Sequence, residues 1–180
     1  MFSPSPNQYP WYSVVVDDEL QQGDILDECP IFIPRTAEFG GTSVRAHFDC
    51  EERPVIVLSQ SCDIVKGREK VEEVLLCALW YRSDFTANQH IATPKGLEEA
   101  RRGNLPAFHL LAPSTIPGFE RELRIVDFRR IFSLPICLFR ERAAAHQHLR
   151  VLPPYREHLS QAFARYFMRV GLPVDIPPFG

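Results

Sequence analysis

Apolar and polar residues alternate with a period of two over much of this chain, and the alternation is broken by short continuous apolar runs. Over residues 42–48, Val44, Ala46 and Phe48 alternate with Ser43, Arg45 and His47, the pattern of a half-buried strand with His47 on its polar face. Residues 54–58 (Pro-Val-Ile-Val-Leu) and 74–80 are unbroken apolar runs rich in β-formers, which predicts central strands covered on both faces. Further strands are predicted at 107–111, 123–128 and 131–134, and short apolar runs at 13–16 and 31–33 bracket Gln22-Gly23-Asp24-Ile25-Leu26, whose apolar pair can start a strand; the β count is about seven. The stretch 59–73 is too polar for a core.

Two segments carry helical signals instead. Residues 94–102 make a short helix that Gly103-Asn104 would end. Leu159, Ala162, Phe163, Tyr166, Phe167 and Val170 recur at three- and four-residue spacing after Pro153-Pro154, which predicts a closing amphipathic helix over 155–170, terminated by Gly171 and Pro173. Arg165 and Arg169 fall in its last turns, where positive charge offsets the helix dipole. Short strands without a helix after each one favour a barrel or curled sheet over a doubly wound fold. The expectation is a mainly β (α+β) domain over 12–180, a curled barrel with a C-terminal helix. Residues 1–11, with Pro4, Pro6 and Pro10, would run extended over the surface.

Composition adds bounds. The 180 residues are 45% hydrophobic and 24% charged, an ordinary globular balance that suits one core. The five cysteines (Cys29, Cys50, Cys62, Cys77, Cys137) are odd in number and widely spaced, a pattern of neither a disulfide framework nor a zinc ribbon. With no signal-peptide pattern and no run of about 20 apolar residues, a cytoplasmic location away from any membrane is expected. The net charge of −3 does not favour a polyanionic partner, although arginine, whose planar fork suits phosphate, far outnumbers lysine.

The first candidate for chemistry is Gln60-Ser61-Cys62-Asp63, which leaves the end of a buried strand and so sits at the sheet rim. Ser61 could donate a hydrogen bond, Asp63 could act as a base, and Cys62 could act as a nucleophile beside a cation such as Arg53. The alternative is a turn capped by Ser61 and Asp63 with Cys62 packed inward. Arg53 either stabilises a developing phosphate charge, worth about 3–4 kcal/mol, or pairs with Asp49, Glu51 or Glu52. His47, Asp49, Cys50 and Cys62 offer zinc-ligand chemistry, but alternation sends Cys50 to the opposite face, and no metal or cofactor is expected. His109 reads as a hydrogen-bonded strand histidine rather than a general base, and His146 and His148 as residues near a loop that could bind adventitious metal. Arg121, Arg124, Arg129 and Arg130, with Phe119, Phe128 and Phe132, form the densest basic stretch. It is either a nucleic-acid surface, with Arg121 and Arg124 as substrate contacts, or a solvated strand face.

Four phrases in order resemble the MazF/PemK toxin family: Gly23-Asp24-Ile25, residues 53–59 (Arg-Pro-Val-Ile-Val-Leu-Ser), residues 73–79, and residues 122–138 ahead of the closing helix. The resemblance implies an SH3-like barrel and a metal-independent endoribonuclease. It further implies an antitoxin-like protein partner, a homodimer, and a catalytic arginine at Arg53. In that family the arginine works with a serine or threonine at the end of the next strand, where this chain has Trp80. Two other readings stand beside it: a barrel without catalysis that binds a nucleic acid, nucleotide or protein through the same rim, and a thiol- or metal-dependent enzyme centred on Cys62.

Overall fold

The computed structural model describes residues 9–40 and 43–168. Seven strands form one antiparallel sheet: β1 (Tyr12–Val15), β2 (Asp24–Gly40), β3 (Ser43–Val57), β4 (Glu73–Tyr81), β5 (Phe108–Leu111), β6 (Arg124–Pro135) and β7 (His148–Val151). Their spatial order is β1-β7-β2-β3-β4-β6-β5. Among the described residues three α-helices accompany the sheet, α1 (Pro94–Arg101), α2 (Ile136–Ala145) and α3 (Tyr155–Phe167). The fold is mainly β with helices on both faces.

The β-branched runs behave as their pattern predicts. Val55, Ile56 and Val57 of β3 are fully buried and pair with Ala78, Cys77 and Leu76 of β4. Alternation then sends Ile56, Cys77 and Leu79 to one face, against Leu159 and Phe163 of α3, and Val55, Val57 and Leu76 to the other, against Phe139 and Ala143 of α2. A third, smaller core joins α1 to Ile125 through Ala100, with Trp80, Phe85 and Phe108 packed around it.

The sheet of the expected curled barrel stays open. Strands β1 and β5 stand at the two ends of the sheet order, and no ladder joins them among the described residues. Each is only four residues long, which leaves little backbone for a closing ladder. The sheet curls all the same: the Tyr12 hydroxyl in β1 donates to the Ala112 carbonyl, one residue past β5, at 2.6 Å. A side chain spans the gap where a barrel would have a strand pair. Burial of that hydroxyl raises the Tyr12 pKa to about 12, against an opposing pull from Arg124.

Boundaries differ from the sequence expectation in instructive ways. Residues 31–33 extend into a 17-residue β2, and 42–48 and 54–58 fuse into a 15-residue β3, so the two build one long hairpin. Likewise 123–128 and 131–134 are one strand, β6, interrupted by an irregularity: Cys77 pairs with Ile131 while Leu79 pairs with Val126. The extra β6 residues make a bulge. Helix α2 and strand β7 were not predicted, the first because its residues show no strong apolar stripe and the second because four residues are too few to reveal a period. The closing helix runs over Tyr155–Phe167; Arg169, Val170, Gly171 and Pro173 lie outside the described residues.

Candidate functional site: the Arg53–Trp80 cleft

The register of β3 against β4, continued two residues beyond the Val55–Ala78 pair, sets Arg53 opposite Trp80. The Arg53 guanidinium lies over the indole ring, 4.8 Å from its centroid, a cation–π contact. Its Nε donates to Glu51 Oε2 at 2.7 Å, so the ion-pair reading of Arg53 is realised with one of the three carboxylates considered. Indole Nε1 is buried and has no hydrogen-bond partner. A buried N–H without an acceptor is costly and marks a place where a ligand acceptor would be favoured.

The β6 bulge builds the far wall. Asp127, nearly buried, accepts from the Arg129 backbone N–H at 3.1 Å and from Arg129 Nε and Nη2 at 2.8 Å each, which ties the bulge to its own carboxylate. Arg129 is thereby held over the Phe108 ring at 4.6 Å, and Arg130 points into solvent beside it. Trp80, Asp84, Phe85, Gln89, Asp127, Arg129 and Arg130 line an open cleft of about 440 Å³, and Arg53 adjoins it through its contact with the Trp80 ring rather than as a lining residue. Arginine and aromatic side chains thus converge without any metal-ligand cluster; no group of three or more His, Cys, Asp or Glu suited to a metal occurs among the described residues.

The rim loop Gln60–Asp63 lies elsewhere. Six residues, 54–59, separate it from Arg53, and the first four of them continue β3, about 13 Å of strand at 3.3 Å per residue. Ser61–Asp63 form a single 3₁₀ turn held from outside rather than by its own caps. Ser61 Oγ accepts from the Gln22 backbone N–H at 3.0 Å, and the buried Gln22 side chain donates to the Leu58 carbonyl at 2.8 Å. Gln60 donates to Ser160 of α3 at 3.1 Å. Cys62 does not pack inward; its exposed thiol donates to Asp63 Oδ1 at 3.6 Å. Lys70 engages the same oxygen at 2.9 Å, and its hydrogen bond holds the Asp63 pKa below the usual carboxylate value. This turn opens the connection from β3 to β4.

The Gln22-Gly23-Asp24 phrase explains itself structurally. Gly23 adopts φ +90°, and a Cβ there would meet Val151 at 3.2 Å, so only glycine fits. Asp24 is fully buried and accepts from the Gln21 N–H at 2.8 Å and from Arg150 Nη2 at 2.9 Å. His148, expected near a loop, is instead the buried first residue of β7, with Nε2 3.6 Å from Asp24. Arg150 and His148 were invisible as Asp24 partners because they lie more than a hundred residues away in sequence.

Arg121 and Arg124 do not form a solvated face. Both converge on Asp27, Arg121 through Nη2 at 2.7 Å and Arg124 through Nη1 at 2.9 Å, and Arg124 is 1% exposed. A buried guanidinium is not available to a substrate phosphate. Of the four arginines in that stretch, Arg129 and Arg130 are the exposed ones. The zinc combination is likewise dispersed: His47, Asp49 and Cys50 lie on the outer part of the β2–β3 hairpin, with Asp49 paired to Arg35, while Cys62 follows the other end of β3. All five cysteines are free thiols, Cys29 and Cys77 buried with their pKa values raised by desolvation.

No known family model matches the chain, and no curated protein matches it at a significant level. What defines it is an open, curled antiparallel sheet between helices, with an arginine–aromatic cleft at the end of its central strand pair. No helix among the described residues is long and apolar enough to cross a membrane.

Proposed function

We propose that this protein binds single-stranded RNA in the Arg53–Trp80 cleft and does not cleave it. The carrying observation is Trp80, which stacks with Arg53 and also lines the cleft that holds Arg129 and Arg130, with its indole N–H left without a partner. Guanidinium groups neutralise phosphates, aromatic rings and guanidinium planes stack on bases, and an indole N–H donates to a base or sugar oxygen. The net charge of −3 makes such binding local rather than a property of the whole surface.

The order of the four phrases and the curl of the sheet support reading the fold as a divergent SH3-like relative of the MazF/PemK toxins. Against catalysis, Trp80 takes the place where that resemblance asks for a hydroxyl, and its ring covers the arginine. A non-catalytic member would keep the RNA surface and lose the cleavage step. The test is incubation of the protein with a mixed-sequence single-stranded RNA in EDTA, read by both gel shift and fragment analysis. Saturable retention of intact RNA, lost in Arg53→Ala, is the expected result. Arg53-dependent fragments would replace this reading with the metal-independent endoribonuclease, and absence of both would remove RNA as the ligand.

A further inference from the structure

A second cleft, of about 320 Å³, opens where the end of α1, strand β5 and helix α3 meet. Its charged and titratable lining is entirely basic: Arg101, Arg102, His109, His158 and Arg165, with Phe108 between them. Glu98 pairs with both Arg101 and Arg102 at 2.6 Å, so those two guanidinium groups share one negative charge. Among the described residues Arg165 reaches the Gln161 side-chain oxygen alone, at 3.5 Å, the outer limit of a hydrogen bond. His109 Nε2 is buried and has no partner, and its ring stacks against Phe128, with centroids 6.5 Å apart and planes 25° apart.

The local sequence makes this opening. Gly103 at φ +77° ends α1, with its N–H on the Ala100 carbonyl at 2.9 Å and the Asn104 N–H on the Glu99 carbonyl at 2.9 Å. The chain turns away from the helix there and leaves the α1 arginines at the mouth of the cleft. An excess of guanidinium over carboxylate, with a half-buried imidazole wanting a partner, is complementary to a compact multivalent oxyanion. From this geometry we propose that the α1–β5–α3 cleft is a phosphate-binding site, with Arg165 as its principal cation and His109 as its buried hydrogen-bond partner.

Burial holds the His109 pKa near 4, so the ring is neutral at physiological pH and has one N–H to offer. The phosphate could come from two sources. Phe108 lines this cleft and Arg129, which lines the Trp80 cleft, lies over the Phe108 ring, so an RNA backbone could pass from one to the other. That source rests on the RNA-binding reading; a free phosphate compound does not.

The experiment titrates pyrophosphate into wild-type protein, Arg165→Ala and Trp80→Ala by calorimetry, then repeats the titration with a single-stranded oligouridylate bound. Arg165 is an exposed helix position, so its replacement leaves the core intact. Saturable binding that weakens at least fivefold in Arg165→Ala and is unchanged in Trp80→Ala is the expected result. Failure of wild-type protein to saturate at millimolar pyrophosphate, or equal binding by Arg165→Ala, overturns the site. Competition between pyrophosphate and the oligonucleotide assigns the phosphate to the RNA backbone, and independent binding assigns it to a separate phosphate ligand. If pyrophosphate binds while RNA does not, the RNA reading fails and the phosphate site stands.

Discussion

Arg53 and Trp80 face each other across the β3–β4 pair, with the guanidinium 4.8 Å from the centre of the indole. Either residue alone would be unremarkable at a sheet surface. Together they keep a positive charge against a flat ring at the edge of a cleft, and the Glu51 contact fixes the arginine without burying it, since its side chain stays 32% exposed.

Arg53→Ala is expected to separate binding from stability. A contact between side chains about one-third exposed contributes little to folding, under about 1 kcal/mol. RNA affinity should fall much further, and the slope of log affinity against log salt should lose about 0.7 for the one phosphate contact removed. Gel shift over a salt series, alongside urea denaturation, checks both. An unchanged salt slope would detach Arg53 from phosphate.

Trp80→Ala is expected to lower RNA affinity about 5- to 150-fold, the effect of losing about 1–3 kcal/mol of base stacking. Trp80→Phe should recover most of the stacking but not the Nε1 hydrogen bond. Fluorescence titration of the three proteins measures the two contributions apart, and equal affinities throughout would show that bases do not meet this ring.

Asp24→Ala leaves the Arg150 guanidinium without its buried carboxylate and should cost about 3–5 kcal/mol. Asp27→Ala strands the buried Arg124 and is expected near the lower end of that range, about 3 kcal/mol, because Asp27 itself is 37% exposed. Arg121→Ala, which leaves the Arg124–Asp27 pair in place, should cost about 1 kcal/mol or less. Denaturant midpoints order the three, and a large Arg121 effect would contradict this division of roles.

His109 sets a pH signature. Burial lowers its pKa from 6.5 to about 4, so between those values the unfolded chain binds a proton that the folded one refuses. Stability should therefore fall as pH drops from about 6.5 towards 4, by on the order of 2–3 kcal/mol, with no His109 contribution above pH 6.5. The wild-type minus His109→Gln difference in unfolding free energy across this window isolates the effect from the carboxylates. A pH-independent difference would mean that the imidazole is hydrated in the folded state.

Much of the fold can be read along the chain because it depends on local periodicity. The burial of residues 55–57, the position of β4 and the apolar face of α3 all follow from which side chains repeat at two or at three and four residues. Arg53 is likewise legible as a residue entering a buried strand. What it touches is not: Trp80 becomes its partner only through the β3–β4 register, and Arg129 and Arg130 reach the same cleft only because β6 bulges there. The same limit hid the burial of Arg124 and His148, since charge and polarity predict exposure unless a distant carboxylate such as Asp27 or Asp24 is brought to meet them. Periodicity specifies which face of an element is apolar. Pairing across the sheet, which sets which polar side chains share a cleft and whether the strands close into a barrel, depends on contacts between residues far apart in sequence and was decided only when the chain folded.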